Sequence, residues 1–559
     1  SDTVDFSEYG SVIEVVEKSF KNYADRSAFT SIGLTMTYAD IDEKSAAFAS
    51  YLQNHTNLKP GDTIAIQMPN ILQYPIAMYG AMRAGLIVTN TNPLYTEREM
   101  LHQFNDSNAK ALVCMDVFAR SVQNVVADTG IETVIITSLA DMLPTAKRVL
   151  INFATKYIKK VVPSYSLPNS VDFRQALKLG NAKPFKVVPA TGKNDTVILQ
   201  YTGGTTGVAK GAELTNQNLV SNMLQAKQMM LQTDDKGNLV KGDKQSIVVA
   251  PLPLYHIYAF TVHLMALCEQ GEHSILIANP RDTEMFIKMM KPWKLTTFVG
   301  LNTLFVSLMA SPRFKELDFS ELKSTLSGGT ALIPATANRW KEITGVGISE
   351  GYGLTECAPV VSGNPGNGLE RMGTVGQPVP GTSLKCIDDQ GNEVAIGERG
   401  ELCVRGPQVM KGYWKRPDAS KDAFTEDGEW FRTGDVGIID EDGFVSIVDR
   451  IKDMIIVSGF NVFPNEIEGV VAEHPSVENC AVIGVPDEKS GEAVKLFVVT
   501  QDSSLTAEDL KAFCKENLTA YKLPRFIEFR DELPMTPVGK ILRRELKDEE
   551  EAKRATKAA

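Results

Sequence analysis

Short β-branched runs alternate with helical patterns along the first half of the chain, and this alternation limits the fold more than any other feature. DTIAIQM, GLIVTN, KALVCMD and ETVIIT each read as one strand, and ADIDEKSAAFASYLQNH and TEREMLHQFNDSN lie between or before them with helical periodicity. The series resumes with TVILQYT, QSIVVAPLPLYH, HSILIANP and LTTFVG. Parallel strands need crossover connections, and helices are the usual ones, so the pattern predicts layered α/β sheets. The most apolar stretch, ILQYPIAMYGAMRAGLIV, is broken by Pro75, Gly80 and Arg83 and reads as helix then strand, not a membrane span.

Past about Pro380 the texture changes. Asp-Gly and Gly-Asn pairs punctuate short strands in DDQGNEV, EDGEWFRTGD and IIDEDGFVSIVD, where Asp442-Gly443 is a hairpin signal. This predicts antiparallel, barrel-like β structure closing a large N-terminal domain, residues 1–450. Residues 451–559 form a small α+β domain: Pro464 opens the helix NEIEGVVAEH, then come strands CAVIGV and AVKLFVV and the helix TAEDLKAFCKENL. The charged link Asp449-Arg450-Ile451-Lys452-Asp453 marks the boundary, and the tail KDEEEAKRATKAA is expected to fray. Two domains suit 559 residues, more than one hydrophobic core usually serves.

The formal charge of −11 excludes a general nucleic-acid binder. Seven scattered cysteines without a Cys-x-x-Cys pair fit reduced thiols in the cytoplasm, and six unclustered histidines argue against a structural metal. The acidic start SDTVDFSEYG is expected to be no signal peptide. No pattern reads as an oligomerisation signal.

YTGGTTGVAKGAELT, residues 201–215, packs four glycines, four threonines and a lysine behind a strand-like run. That composition suits a loop whose amides and hydroxyls converge on phosphate. It is no Walker loop, because Lys210 lies between Ala209 and Gly211. GYGLTE (351–356), FRTGD (431–435), DRIKDMIIVSGFNVFPNEIE (449–468) and PMTPVGKILRREL (534–546) follow in order. Together these stretches resemble the adenylate-forming superfamily of acyl-CoA synthetases, peptide-synthetase adenylation domains and beetle luciferases. NPLYTEREMLHQFNDS, GYGLTECAPVVSGNP and DGEWFRTGDVGIIDEDGFVSIVDRIK look closest to bacterial long-chain fatty acid:CoA ligases of the FadD type.

The resemblance implies ATP, Mg2+ and coenzyme A, with a fatty acid as the carboxylic acid. It assigns Gly203, Gly204, Gly207, Thr202, Thr205 and Thr206 to the ATP phosphates, with Lys210 adding charge. Thr202 and Glu356 would reach Mg2+. Tyr352 would stack on adenine between Gly351 and Gly353, Thr355 would meet the α-phosphate, and Asp435 would accept both ribose hydroxyls with help from Arg450. SGGTALIP, through Gly329, would line the adenine and acyl side, and Leu301–Phe305, Tyr255 and Gly328 the acyl pocket. His256 would position groups where the acyl and thiol channels meet. Lys540 would bridge the attacking carboxylate and the α-phosphate, and rotation about Lys452 would withdraw it and bring Ser458, Gly459 and Phe460 to the pantetheine. The alternatives are a ligase for a medium-chain or aryl acid, or a fatty-acid binding or uptake protein without catalysis. Intact Thr355, Glu356, Asp435 and Lys540 argue against the last.

From Ala146 to Val161 the chain reads AKRVLINFATKYIKKV. Ala146, Val149, Leu150, Phe153, Tyr157, Ile158 and Val161 share one helical face, and no acidic residue occurs between Asp141 and Asp172. Two readings follow: an ordinary surface helix docked on the large domain, or a basic amphipathic helix lying on the anionic cytoplasmic face of the inner membrane.

Overall fold

The computed structural model of the protein describes residues 4–186, 188, 192–202, 208–230, 244–365, 370–487, 489–536 and 539–558. Its first sheet has seven strands in the order Val171–Asp172, Thr133–Thr137, Ala109–Met115, Thr63–Gln67, Ile87–Asn90, Thr196–Thr202, Lys210–Thr215. All pair in parallel except the last two, which form an antiparallel hairpin. Thr63–Gln67 is buried at every position, as expected of a strand covered on both faces. The helices between carry their own start signals. Thr37 and Asp40 form a capping box before Tyr38–His55, and Thr96 and Glu99 do so before Glu97–Asp106.

A second sheet of nine strands follows the order Gln377–Pro378, Val360–Gly363, Ile348–Gly353, Ser324–Gly328, Thr297–Gly300, Ile247–Ala250, His273–Leu276, Ser27–Ser31, Leu34–Thr37. Its central strands are parallel and its ends antiparallel. The barrel-like part expected after Pro380 is a four-stranded antiparallel meander, Ser383–Ile387, Gly400–Arg405, Phe431–Ile439 and Val445–Arg450. The Asp442-Gly443 signal falls in the turn between the last two, where the Gly443 amide donates to Asp440.

After Arg450 one 3-10 turn, Ile451–Asp453, leads into a separate five-stranded sheet whose core includes Ile455, Val462, Ile467, Leu496 and Leu510. Two expectations fail here and nearby. The tail does not fray: Arg543–Ala558 is helical, and Lys553 pairs with Glu528 at 3.2 Å and Glu550 at 2.8 Å. The stretch 146–161 is not one regular helix: an α-helix spans Thr145–Phe153 and a wider π turn Ala154–Ile158. Among the described residues no helix is long and apolar enough to cross a membrane.

Candidate active site

The carboxyl ends of parallel strands collect loops at one edge of a sheet, and here two such edges face each other. Asn90 and Thr202 end strands of the first sheet, and Gly300, Gly328 and Gly353 end strands of the second. Between them, and closed from the far side by the small unit, lies a cleft of about 2430 Å³. Ordinary ligand pockets run to roughly 300–1,000 Å³, so this one has room for a nucleotide and a second substrate.

Most of the residues singled out from sequence meet in this cleft. Thr202, Lys210, His256, Gly329, Gly351, Tyr352, Gly353, Thr355, Glu356, Asp435, Arg450, Lys452 and Lys540 all line it. Gly203, Gly204, Thr205, Thr206 and Gly207 lie outside the described residues, between the paired positions Thr202 and Lys210. Ser458, Gly459 and Phe460 do not reach the cleft. Ser458 and Gly459 form an exposed turn after strand Ile455–Val457, and Phe460, also exposed, opens strand Phe460–Val462 of the small unit. Of the expected acyl pocket, Tyr255, Asn302, Thr303 and Gly328 line the cleft. Phe305 instead packs into a second core, 4.7 Å from Trp340 and 5.9 Å from Phe298 by ring centroids, because its helix turns that side inward.

On the large-domain wall the polar groups are held by several elements. Asp435, buried in strand Phe431–Ile439, accepts from the Tyr352 hydroxyl at 2.5 Å and faces Arg450 Nε at 3.4 Å. Glu356 accepts from the Tyr413 hydroxyl at 2.8 Å, and its backbone carbonyl accepts from Met410. Gly353 has no room for a side chain, since a Cβ would stand 2.2 Å from the Pro359 carbonyl oxygen. His256 caps the short helix Ile257–Ala259, with Nδ1 accepting from the Tyr258 amide at 3.3 Å. Enclosure lowers its pKa to about 3, with the nearby Lys540 charge adding, so the ring is neutral.

Lys540 enters from the small unit on a tight turn in which its amide donates to Thr536 Oγ1 at 3.0 Å. The neighbouring Gly539 has φ +76°, and a Cβ there would fall 2.5 Å from Thr303 Oγ1 of the large domain. Lys540 Cε is 3.7 Å from where a Cβ on Gly329 would be. Enclosure, and after it the Arg450 charge, lower the lysine to about 8 even though Asp435 and Glu356 pull the other way. An ammonium poised near neutrality in a cleft with two carboxylates suits electrostatic work on an anion.

Among the described residues no three metal-ligating side chains cluster. Of the residues expected to hold a divalent cation, the Glu356 carboxylate and the Thr202 hydroxyl both line the cleft. That donor set fits Mg2+, which keeps several waters and takes its other oxygens from substrate phosphates.

Sequence reasoning missed three cleft residues. Tyr413 is one. Glu350 is a second, half-buried with its carboxylate accepting from the Leu332 amide at 3.2 Å and lifted by burial to about 7. Arg543 is the third. It spans Asp449 at 3.8 Å, Asp453 at 3.4 Å and Glu468 at 2.6 Å, beside the linker turn. Their signal is spatial, since each partner lies far away in sequence or outside any motif.

Residues 16–414 match the family described as AMP-binding enzyme, and residues 466–540 match the AMP-binding enzyme C-terminal domain. A long-chain-fatty-acid–CoA ligase of Escherichia coli O157:H7 is 50% identical over 550 residues, 98% of this chain and 96% of the relative. Among solved structures, ATP-bound MatB from Rhodopseudomonas palustris superposes with a TM-score of 0.80 at 27% identity, covering 96% of this chain and 98% of that one. The anthranilate CoA ligase AuaEII, in complex with anthranoyl-AMP, gives a TM-score of 0.86 over 100% of both chains at 24% identity, a likeness of fold.

Proposed function

This chain belongs to the AMP-binding enzyme family, and from that premise we propose that it is an ATP-dependent ligase joining a long-chain fatty acid to coenzyme A. One observation carries the reading: a lysine of the small unit, Lys540, stands in the same cleft as Glu356, Thr355 and Asp435 of the large domain. In the first half-reaction a carboxylate oxygen of the fatty acid attacks the α-phosphorus of ATP. The bond from that phosphorus to the bridging oxygen breaks, giving acyl-adenylate and pyrophosphate. In the second, the coenzyme A thiol attacks the acyl carbon, AMP leaves and the thiol proton passes to solvent.

The first step brings two anions together, so its barrier is dominated by charge and alignment. Lys540 neutralises the attacking carboxylate and the α-phosphate together. Thr355 donates to the α-phosphate, Tyr352 offers its ring to the adenine, and Asp435 accepts the ribose hydroxyls beside Arg450. Thr202, Lys210 and the loop of Gly203, Gly204, Thr205, Thr206 and Gly207 hold the β- and γ-phosphates. Glu356 and Thr202 would hold Mg2+, which when bound neutralises phosphate charge. His256, neutral, positions the acyl carbonyl and does not act as a base.

Lys540 would block the thiol if it stayed. We therefore place the domain boundary between residues 450 and 451 and the hinge at Lys452. Rotation there withdraws Lys540 and carries Ser458, Gly459 and Phe460 towards the pantetheine. Pyrophosphate release from ATP with acids from acetate to oleate, followed by coenzyme A-dependent AMP release, tests the activity. Highest kcat/KM is expected for long chains. Turnover of short or aryl acids alone removes the long-chain part, and no pyrophosphate with any acid removes the whole reading.

We further infer that the protein meets its fatty acid at an anionic membrane surface through residues 145–161. The helix Thr145–Phe153 is fixed to the body by Asn152, which bonds the Ala140 amide and Asp141 at 3.0 Å each. The apolar side chains of this helix and of the π turn after it point outward: Leu150 is 68%, Phe153 53% and Ile158 70% exposed. The docked reading would have that face covered. Lys147, Lys156, Lys159 and Lys160 are exposed on the same segment. Apolar insertion flanked by cations favours anionic lipid, each cation adding about 1 kcal/mol. Sedimentation with anionic vesicles at low salt should pellet the wild type. Changing Lys156, Lys159 and Lys160 together to Glu, or Leu150, Phe153 and Ile158 together to Ser, should leave it in solution. Equal pelleting by all three proteins, or none by the wild type, overturns the inference.

A further inference from the structure

Segment 410–414 lies between the strand Lys210–Thr215 and the turn that carries Glu356. On one side it pairs antiparallel with the strand that leaves the glycine- and threonine-rich loop. The Glu213 amide donates to the Gly412 carbonyl at 2.9 Å, the Trp414 amide to Gly211 at 2.8 Å, and Tyr413 faces Ala212. On the other side the Met410 amide donates to the Glu356 carbonyl at 2.7 Å. Tyr413 sits between. Its hydroxyl donates to Glu356 Oε1 at 2.8 Å, and Lys210 Nζ stands 5.0 Å above its ring centre. The Tyr413 amide is itself tied to Ser420 Oγ at 2.8 Å.

We propose that Tyr413 is a positioning residue for adenylation, aiming the Glu356 carboxylate at the cation through its hydroxyl and seating Lys210 through its ring. The inference rests on Glu356 being the acid that holds Mg2+. A free glutamate side chain visits several rotamers, and a cation with strict octahedral demands binds only some of them. With Oε1 engaged by Tyr413, the carboxylate is held in one orientation and Oε2 is left for the cation. A carboxylate offers only acceptor oxygens, so in this bond the phenol donates and Glu356 accepts. The ring adds a second constraint: a cation over an aromatic face keeps Lys210 beside the phosphate loop while leaving its ammonium free for an anion. One side chain thus couples the metal-facing and phosphate-facing loops.

Tyr413→Phe keeps the ring and removes the hydroxyl. The measurement is ATP affinity by isothermal titration, without fatty acid, in excess Mg2+ and in EDTA. In the wild type Mg2+ tightens ATP binding. In Tyr413→Phe that Mg2+-dependent gain should shrink about tenfold, the typical worth of a hydrogen bond to a charged group. Affinity in EDTA and melting temperature should stay as in the wild type. Tyr413→Leu, which also unseats Lys210, should weaken ATP in EDTA as well. If Glu356→Gln abolishes the Mg2+ gain while Tyr413→Phe keeps it within twofold, Tyr413 is only structural and the inference fails. If Glu356→Gln leaves the gain intact, the role of Glu356 is wrong and the inference falls with it.

Discussion

The two walls of the cleft are built in opposite ways. On the large-domain wall Asp435, Tyr352 and Glu356 are bonded to one another or to groups on other strands and loops. On the small-domain wall Lys540 is held by backbone bonds within its own turn, to Thr536. Among the described residues its ammonium makes no hydrogen bond or ion pair, and its turn meets the large domain by packing alone, at Thr303 and Gly329. A binding surface gains from being rigid, because alignment is then settled before the substrate arrives. A group needed in only one of two steps gains from being loosely attached. In the proposed reaction the fixed wall would hold the nucleotide through both steps and the detachable wall would act once.

Removing the detachable group should separate the two steps most sharply. Lys540→Ala is expected to slow acyl-adenylate formation about a thousandfold, the range seen on losing one preorganised charge donor. Conversion of supplied acyl-adenylate and coenzyme A to thioester should change by less than threefold. Equal losses in both assays would place Lys540 on the fixed side of the comparison.

Freezing the linker should do the reverse. Lys452→Pro restricts φ to about −65° within the 3-10 turn Ile451–Asp453. Rotation there must also separate the Asn465 amide from the Asp449 carboxylate, 2.7 Å, and Arg543 from Asp449. Burial lifts Asp449 to about 6 even with Arg543 beside it. Thioester formation is expected to fall about a hundredfold with adenylation within a few fold. If adenylation falls as far, the proline has damaged the site and says nothing about a hinge.

How much of this the sequence disclosed follows the same division. The layered sheets were legible because a parallel strand covered on both faces must be apolar through its middle, as Ile64–Ile66 and Ala111–Met115 are. The cleft residues expected to meet the nucleotide were legible because they sit in compact motifs at strand ends. Tyr413 and Arg543 escaped because their partners, Glu356 and Asp449, are distant in sequence, and pairwise geometry leaves no periodic trace. The helix Val12–Asn22 and the helix Thr145–Phe153 show the limit of amphipathic reasoning. The first buries Val12, Val15, Val16 and Phe20, whereas the second turns Leu150 and Phe153 to solvent. A stripe predicts that an apolar face exists and is silent on what covers it. The tail misled in the other direction: its charges looked solvated, but their opposite signs find partners at Glu528 and Glu550.

Rigidity of the fixed wall carries a cost that Glu350 exposes. Among the described residues its enclosed carboxylate has one backbone donor, the Leu332 amide, and no ion pair, and burial raises it to about 7 against an ordinary value of 4.5. The native state therefore holds this proton more tightly than the unfolded chain does. Below pH 4.5 both states are protonated and the residue costs nothing. Between 4.5 and 7 the unfolded chain releases its proton first, so stability falls as pH rises, and above 7 the full penalty is present. Glu350→Gln keeps an acceptor for Leu332 and never ionises. It should be more stable than the wild type at pH 8, by on the order of 1 kcal/mol after discounting for partial exposure. At pH 4.5 the difference should vanish. Melting temperatures of both proteins at the two pH values decide it. A constant difference, or a variant less stable at pH 8, would mean that Glu350 has a counter-charge in solution and that the fixed wall is looser than its hydrogen bonds suggest.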